Sequence, residues 1–152
     1  MRIGVISDTH SRLRPEALQA LEGCELIIHA GDVGKAEVLE GLRKIAPVIA
    51  VRGNVDHGPV VRDLPVTEVV TAGEAQLYVL HDLGQLDLDP AAAGFQAVIS
   101  GHSHRAKVER REGVLYLNPG SAGPRRFTLP VSLALLRVNG KDLEAEIVYL
   151  DV

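Results

Sequence analysis

The sequence predicts an α/β fold in which two β-sheets pack together with helices on the outside. In the first third of the chain, short apolar runs alternate with segments whose apolar residues recur at helical spacing. In the rest of the chain, short strand-like runs follow one another with turn residues between them. The first pattern is typical of a parallel sheet with both faces covered, and the second favours a partly antiparallel sheet.

Three strand–helix-type units open the chain. Continuous apolar runs predict buried strands at 2–7, 26–30 and 48–51. A helix is predicted over 15–22, because Pro15 suits a first helical turn and Gly23 suits a helix end. A second amphipathic helix is marked by Val38, Leu39, Leu42 and Ile45. Parallel strands of this kind gather their ligands beyond their carboxyl ends.

The second half of the chain reads as a series of strands. A loop is expected over 56–64, where Gly58 and Pro59 lie among charged residues. The strands follow at 66–70, 76–81, 97–100, 107–111, 114–117, 132–138 and 144–150. We expect them to build a second sheet packed on the first. No linker, low-complexity tract or internal repeat divides the sequence, so one domain is expected over 1–152.

Composition excludes several classes of protein. A chain of 152 residues with 46% hydrophobic content buries roughly two-thirds of the surface that the unfolded chain exposes, so its core can be stable without a structural metal ion. The net charge of −4 argues against a dedicated nucleic-acid binder. No apolar stretch approaches the ~20 residues of a membrane span, and Met1 leads directly into a strand-like run, so we expect a cytoplasmic protein. The single cysteine, Cys24, allows no internal disulfide and is expected to be inert.

Five polar clusters lie where apolar runs end. They are Asp8-Thr9-His10, Gly31-Asp32, Gly53-Asn54, His81 and Gly101-His102-Ser103-His104. Side chains two residues apart on an extended segment project to the same side, so Asp8 and His10 can face one ion together. Mixed nitrogen and oxygen ligands suit manganese, iron or zinc better than calcium or magnesium. The clusters therefore predict a site for divalent transition metals.

This ordered set of motifs resembles the calcineurin-like metallophosphoesterase superfamily over essentially the whole chain, and most closely its small bacterial and archaeal phosphodiesterases. The resemblance implies a sandwich of two mixed sheets flanked by helices and two divalent metal ions, with Mn²⁺ expected and Ni²⁺, Zn²⁺ or Fe²⁺ as alternatives. One metal would be held by Asp8, His10, Asp32 and His104, and the other by Asp32, Asn54, His81 and His102. Asp32 would bridge them. Asn118-Pro119-Gly120-Ser121 resembles a supporting segment in which a glycine lets the backbone approach the metal pair.

The resemblance also implies a mechanism in which the metal pair activates a hydroxide that attacks phosphorus in line. Asp32, Asn54 and His102 are the expected catalytic residues. In the protein phosphatases and nucleases of the superfamily a histidine that can protonate the leaving group follows the asparagine, whereas this chain has Val55. A general acid contributes about 10²- to 10⁴-fold, so its absence favours substrates with good leaving groups. Asp82 is a second departure, because relatives often have glycine after the ligand histidine.

Several residues have two possible roles that the sequence leaves open. His29 is more readily a packed, hydrogen-bonded residue than a ligand, and His57 more readily a surface residue than a substrate contact. Asp56 either orients Asn54 or forms a turn. A cationic cluster comprises Arg105, Lys107, Arg110, Arg111, Arg125 and Arg126. It is either a solvated face or a phosphate anchor, and in the second case Arg105 and Arg125, with Asn54, are the predicted substrate-binding residues.

The function predicted from these residues is hydrolysis of a small phosphodiester by a metal-dependent enzyme. One alternative is a non-catalytic scaffold that binds a protein, similar to the retromer subunit that resembles these phosphodiesterases. The ligand set argues against it, since that scaffold has lost several ligands and all seven positions are filled here. A broader phosphatase or nuclease is the other alternative, and Val55 and the negative charge weigh against it. No membrane partner is expected, and a homo-oligomer is left open.

Overall fold

The structure is a computed structural model that describes residues 1–152, and its elements alternate early and become mostly strands later. In chain order they are β1 (Arg2–Ile6), α1 (Pro15–Ala20), β2 (Leu26–His29), α2 (Ala36–Arg43), β3 (Val48–Ala50), a 3-10 turn (Val61–Asp63), β4 (Thr67–Ala72), β5 (Ala75–Leu80), a second 3-10 turn (Leu83–Gln85), α3 (Pro90–Ala93), β6 (Ala97–Ile99), β7 (Lys107–Arg111), β8 (Val114–Asn118), β9 (Ser132–Asn139) and β10 (Asp142–Tyr149). None of the helices has the length and apolar character that crossing a membrane would need.

Two mixed sheets of five strands each form the frame. The first has the order β10-β9-β1-β2-β3, with β1, β2 and β3 parallel and β9 antiparallel to β1. The second has the order β4-β5-β6-β8-β7, with β5, β6 and β8 parallel and both edge strands antiparallel to their neighbours. Each sheet therefore contains three adjacent parallel strands whose carboxyl ends lie together.

The first sheet is apolar on both faces, which explains the continuous apolar runs in its sequence. On one face Ile3 and Val5 of β1 join a 19-residue cluster shared with the second sheet. On the other face Ile6 joins a 14-residue cluster that contains Ala17 of α1 and Leu39 of α2. The layers are therefore helices, first sheet and second sheet, which confirms the predicted two-sheet sandwich with helices outside. A smaller cluster around Tyr78 and Leu80 lies on the outer face of the second sheet, under Phe95.

The predicted elements differ from the observed ones in three respects. The expectation that all later strands join the second sheet is wrong for β9 and β10, which extend the first sheet beside β1. Sequence periodicity gives a strand's faces and not its partner, so it cannot make this assignment. The first helix ends at Ala20 rather than residue 22. Neither α3 nor the two 3-10 turns were predicted, because a single turn is too short to show helical spacing.

Candidate metal centre

All five polar clusters lie beyond the carboxyl ends of parallel strands. Asp8 and His10 follow β1, Asp32 follows β2, and Asn54 follows β3. In the second sheet His81 directly follows β5, while His102 and His104 lie on the loop after β6. Backbone hydrogen bonds tie these loops together, from Asp8 N–H to the Gly31 carbonyl (3.0 Å) and from Gly101 N–H to the His81 carbonyl (2.9 Å). The packing of the two sheets therefore brings together loops that are far apart in sequence.

The carboxylates of Asp8 and Asp32 lie at the middle of the cluster. Asp8 Oδ1 is 3.4 Å from His104 Nε2, 3.8 Å from His10 Nε2 and 3.9 Å from His81 Nε2. Asp32 Oδ2 is 3.2 Å from His81 Nε2 and 3.7 Å from His10 Nε2. Two groups of ligand atoms result, Asp8 with His10 and His104, and Asp8 with Asp32 and His81. Both carboxylates thus face histidines from both groups, and the bridging role of Asp32 stays a prediction.

Unpartnered polar atoms show that this cluster fits a bound cation. Asp8 Oδ1, His10 Nε2 and His104 Nδ1 are buried and have no hydrogen-bond partner within the protein. Buried polar atoms without partners are costly, and a cation would satisfy those that face the cluster. His81 Nδ1 lies 2.7 Å from the Ala30 carbonyl, to which Nδ1–H donates, so Nε2 faces the carboxylates and can bind a metal once it has lost its proton. The donor set therefore fits divalent metals with nitrogen and oxygen preferences.

The electrostatics of the cluster keep both carboxylates ionised. Burial alone would raise the pKa of Asp8, but the nearby rings of His104 and His81 and the hydrogen bond from the Ser7 hydroxyl to Asp8 Oδ2 (2.7 Å) outweigh it, and the pKa falls below its usual value. Burial opposes ionisation of Asp32 as well, and bonds from His81 and the Val55 N–H nevertheless lower its pKa to about 2. The pKa of His81 is raised, because Asp32, Asp8 and the Ala30 carbonyl outweigh its burial. The cluster thus attracts positive charge, and a metal would compete with the proton on His81.

The backbone of the ligand residues is strained. Asp8 (φ 56°), His10 (φ 46°), Asp32 (φ 55°), His102 (φ 71°) and His104 (φ 62°) all adopt positive φ angles. Residues other than glycine seldom occupy this region, and such strain concentrates at functional sites. Five of the seven predicted ligands share this rare conformation, which indicates that the fold imposes their orientation. The sequence gives no signal for it, since none of these positions is glycine.

Asp56 joins the loop that carries Asp32 to the loop that carries Asn54. Its buried carboxylate accepts hydrogen bonds from the N–H groups of Gly53 (2.8 Å), Gly34 (3.0 Å) and Val33 (3.3 Å). The sequence left open whether Asp56 orients Asn54 or forms a turn, and the structure favours a positioning role. Asp56 acts on both loops through the backbone rather than through the Asn54 side chain.

His29 is a packed residue that supports the Asp8 loop. Gly31 N–H donates to His29 Nδ1 (3.1 Å), so the neutral ring carries its proton on Nε2 and donates it to Thr9 Oγ1 (3.0 Å). The Thr9 hydroxyl then donates to the Val33 carbonyl (2.8 Å). Complete burial lowers the pKa of His29 to about 4, so the ring stays neutral near pH 7. Its contacts are those of the expected hydrogen-bonded residue and not of a ligand.

The segment after β8 supports the site in a different way from the expected one. Asn118 Nδ2 donates to the Gly101 carbonyl (2.9 Å) and to Ser103 Oγ (3.1 Å), and so holds the loop of His102 and His104. The close approach predicted for Gly120 is made instead by Gly123, where a Cβ would overlap the Asp8 and Thr9 carbonyl oxygens. Gly120 faces Ser132 and Ala106. Sequence similarity of a segment identified the support but not which glycine makes the contact.

The remaining predicted residues lie around the rim of the centre. Asn54 Oδ1 is 3.1 Å from His81 Nε2. The exposed His102 ring meets the His81 ring edge-on, with the two ring centroids 5.1 Å apart. Val55 is 43% exposed and contributes only its N–H, which donates to Asp32 Oδ1 (3.0 Å). No proton-donating side chain therefore stands directly after Asn54.

Two cavities adjoin the centre. The large cavity, of about 900 Å³, is lined by Arg52, Asn54, His57, Arg62, Tyr78, Asp82, Asp87 and His102 among others. The cationic cavity, of about 470 Å³, is lined by Asp82, His102, Ser103, Arg105, Lys107, Arg111, Tyr116 and Asn118 among others. The predicted substrate residue Arg105 thus lies beside His102, and His57 lines the large cavity.

Arg125 is exposed and lines neither cavity, so its role in substrate binding stays a prediction. Burial is the main cause that lowers the pKa of His10, and it outweighs the opposing charges of Asp32 and Asp8. Sequence analysis missed Arg52, Arg62 and Tyr78 as cavity residues. Arg52 lies two residues before Asn54, and that proximity was the one signal available.

A two-sheet sandwich with carboxylates and histidines gathered beyond its strand ends defines a metal-dependent phosphoesterase class of protein. The family model described as "Calcineurin-like phosphoesterase superfamily domain" matches residues 1–141, and the chain belongs to this superfamily. The chain is 36% identical over 160 residues to a "Probable metallophosphoesterase" of Methanothermobacter thermautotrophicus, with 97% of this chain and 92% of the relative covered. The superfamily and the ligand groups together point to divalent-metal binding.

Solved structures share the fold. A structure titled "Structural and Functional Characterization of a Novel Archaeal Phosphodiesterase" superposes with a TM-score of 0.80 at 25% identity, covering 97% of this chain and 100% of the other. Vps29 of Chaetomium thermophilum, solved in complex with a cyclic peptide, has a TM-score of 0.72 at 20% identity over 99% and 96% of the two chains. The likeness to Vps29 shows the fold alone.

Proposed function

We propose that this protein hydrolyses phosphodiester bonds with a pair of divalent metal ions, with Mn²⁺ as the expected metal. The observation that carries the proposal is the buried cluster in which Asp8 and Asp32 face His10, His81 and His104 at 3.2–3.9 Å. A second support is the name phosphodiesterase given to an archaeal protein of the same fold.

The protein's own groups would hold the metals and bind the substrate, and Asn54 and His102 would take part in both. Asp8, His10, Asp32, Asn54, His81, His102 and His104 would hold the metals, with Asp32 between them. Divalent ions in such a site supply Lewis acidity and lower the pKa of water to about 7. The lowered pKa of both carboxylates keeps them ionised for this role at neutral pH.

The substrate phosphate would be bound at the exposed rim of the centre. Asn54 and His102 are exposed and line the large cavity, so their side chains can reach a phosphoryl oxygen that lies against the buried ligands. Developing negative charge on phosphorus would be stabilised by these donors. Val55 offers no proton to the leaving group, and a leaving group of low basicity is therefore favoured. The expected substrate is a small phosphodiester in which one of the two esterified alcohols is acidic and therefore leaves readily.

The second candidate function is a protein-binding scaffold on the same fold. The observation in its favour is that Vps29, a protein of this fold, binds a cyclic peptide. Against it stands the cost of the unpartnered buried atoms at Asp8, His10 and His104, which serve no purpose in a surface-binding protein. We therefore place the enzyme first.

The test is metal reconstitution followed by hydrolysis assays. Protein stripped with a chelator is reloaded with Mn²⁺, Ni²⁺ or Zn²⁺ and assayed on bis(p-nitrophenyl) phosphate and on p-nitrophenyl phosphate, with metal content measured in parallel. We expect diester turnover, little monoester turnover and about two ions per chain, as two-metal sites require. Asp32→Asn should lose both metal and activity, whereas Asp63→Asn makes the same chemical change at an exposed position and should keep both. Wild type that binds no metal and is as inert as Asp32→Asn under every metal would leave the scaffold as the function.

A further inference from the structure

The two cavities share two lining residues. Asp82 and His102 line both the large cavity and the cationic cavity. Because His102 is a predicted metal ligand, both cavities adjoin the proposed reaction centre. A phosphodiester has two esterified groups on phosphorus, so a diester bound at the centre can direct one group into each cavity.

The charges of the two cavities differ. Two arginines and three aspartates line the large cavity. Arg52 Nη1 donates to the Arg62 carbonyl (3.2 Å) there. The cationic cavity has Arg105, Lys107 and Arg111 against a single lining carboxylate, Asp82. Fixed positive charge on a concave wall concentrates anions, so the smaller cavity is the one suited to a negatively charged group.

Neighbouring groups hold two of the three cations in place. Glu109 pairs with Lys107 Nζ (2.7 Å) and with Arg111 Nη2 (3.1 Å). The Arg111 guanidinium also lies over the Tyr116 ring, 4.8 Å from its centroid. One carboxylate therefore orients two cations and neutralises only one positive charge. The cationic cavity therefore keeps a net positive charge, unlike a surface on which each cation is paired with its own carboxylate.

Arg105 forms no ion pair and lies next to the reaction centre. Its backbone N–H donates to Ser103 Oγ (3.1 Å), the same oxygen that accepts from Asn118 Nδ2 (3.1 Å). Asn118 thus fixes the backbone of Arg105 together with that of His102 and His104. The guanidinium, with five donors in a planar fork, suits the oxygens of a phosphate group.

We propose, resting on the function proposed above, that the cationic cavity binds a second phosphate group carried by one arm of the substrate. The preferred substrate is then a phosphodiester in which one esterified group bears a phosphate monoester, and Arg105, Lys107 and Arg111 recognise that monoester. The uncharged arm occupies the large cavity. The cavity makes the enzyme selective by the charge of one arm and leaves the chemistry at phosphorus unchanged.

The experiment compares two substrates that differ by one phosphate. Thymidine 5′-(p-nitrophenyl phosphate) and its 3′-phosphorylated form release the same p-nitrophenol, so the ratio of their kcat/KM values isolates the 3′-phosphate. In wild type we expect a ratio of about tenfold or more in favour of the 3′-phosphorylated substrate, the size of a charge-assisted hydrogen bond. Arg105→Gln removes one of the three cations and should lower the ratio severalfold, mainly through KM for the phosphorylated substrate.

Two matched variants separate local from general charge effects. Arg52→Gln removes a cation from the large cavity, and Arg137→Gln removes one beside Arg2, at the end of β1 opposite the ligands. Both should keep the wild-type ratio. Raising the salt concentration should lower the ratio more in wild type than in Arg105→Gln.

The outcomes distinguish this inference from the function on which it rests. A wild-type ratio near one, with both diesters hydrolysed, overturns the inference and leaves the diesterase function standing. A high ratio that survives in Arg105→Gln, or one that Arg52→Gln abolishes, places the second phosphate elsewhere and also overturns it. Absence of hydrolysis of bis(p-nitrophenyl) phosphate and of both nucleotide diesters under every metal removes the function and the inference together.

Discussion

Replacing Asp56 with asparagine changes almost no volume and removes one charge from beneath the metal centre. In the native structure the two oxygens of Asp56 accept three backbone N–H groups, Oδ2 those of Gly53 and Val33, and Oδ1 that of Gly34. An amide has one acceptor oxygen and one NH₂ donor. Its best placement keeps the oxygen towards Gly53 and Val33 and turns the NH₂ towards the Gly34 N–H.

The loss of stability follows from these three bonds. The two retained bonds lose their charge assistance, at about 1 kcal/mol each, since bonds to charged groups contribute about twice as much as neutral ones. The Gly34 N–H loses its acceptor at a partly buried position, which costs about 1 kcal/mol more. We expect Asp56→Asn to lower the free energy of unfolding by about 3 kcal/mol.

Urea unfolding of the metal-free protein measures this difference without a contribution from bound metal. The matched control is Asp63→Asn, which makes the same change at an exposed position and should stay within about 0.5 kcal/mol of wild type. Calorimetric titration with Mn²⁺ provides the second readout. Affinity in Asp56→Asn should fall about 10- to 100-fold, because Asp56 sets the distance between the loops of Asp32 and Asn54.

Two results would refute the reasoning. A loss of less than 1 kcal/mol in Asp56→Asn would mean that the three N–H groups find other partners, and that Asp56 is only a turn former. A full loss of stability with unchanged Mn²⁺ affinity would show that the two loops do not need Asp56 to present their ligands.

Acid should destabilise the metal-free protein through His29, because the pKa of this residue in the folded protein is about 4 and lies below the ordinary value of 6.5. The contribution of neutral His29 to the free energy of unfolding is therefore complete above pH 6.5 and is lost as the pH falls towards 4. The difference amounts to about 3 kcal/mol, and His29→Gln should remove this part of the pH dependence in urea unfolding at pH 7.5 and 4.5. Gly53→Ala should abolish tight metal binding, since a Cβ there would overlap Asp32 Oδ1 and the Asp32 backbone nitrogen. Gly58→Ala should leave the measured metal content unchanged, since a Cβ there would meet only Val61 Cγ2, at an ordinary contact distance of 3.9 Å. Mn²⁺ at 100 times its dissociation constant should stabilise wild type by about 2.7 kcal/mol and raise Tm by roughly 5–10 °C, and the same addition to Asp32→Asn should produce no shift in a thermal scan.

Strand ends were the most informative part of the sequence. Continuous apolar runs predicted β1, β2 and β3, because strands covered on both faces need apolar residues at every position. Polar residues at the ends of these runs, and of the later runs that form β5 and β6, have no place in the core clusters, so their position alone marked a site. Seven residues predicted in this way all lie at or beside one cluster.

The parts that could not be predicted depend on contacts between distant segments. The pairing of β9 with β1 joins residues more than a hundred positions apart, and no local pattern encodes it. The positive φ angles of Asp8 and His104 are likewise imposed by neighbouring loops, since neither residue type requires that conformation. The cavity residues Arg52 and Arg62 were missed because charged residues in a loop resemble any solvated surface.

The sequence by itself determined the fold class, the superfamily and the types of ligand, because burial periodicity and residue chemistry are local properties of a chain. Tertiary structure decided which carboxylate faces which histidine, which glycine approaches the Asp8 loop, and how charge is divided between two cavities that share His102. These properties depend on distances of a few ångströms between loops from different sheets. Only the packing of one sheet on the other sets those distances.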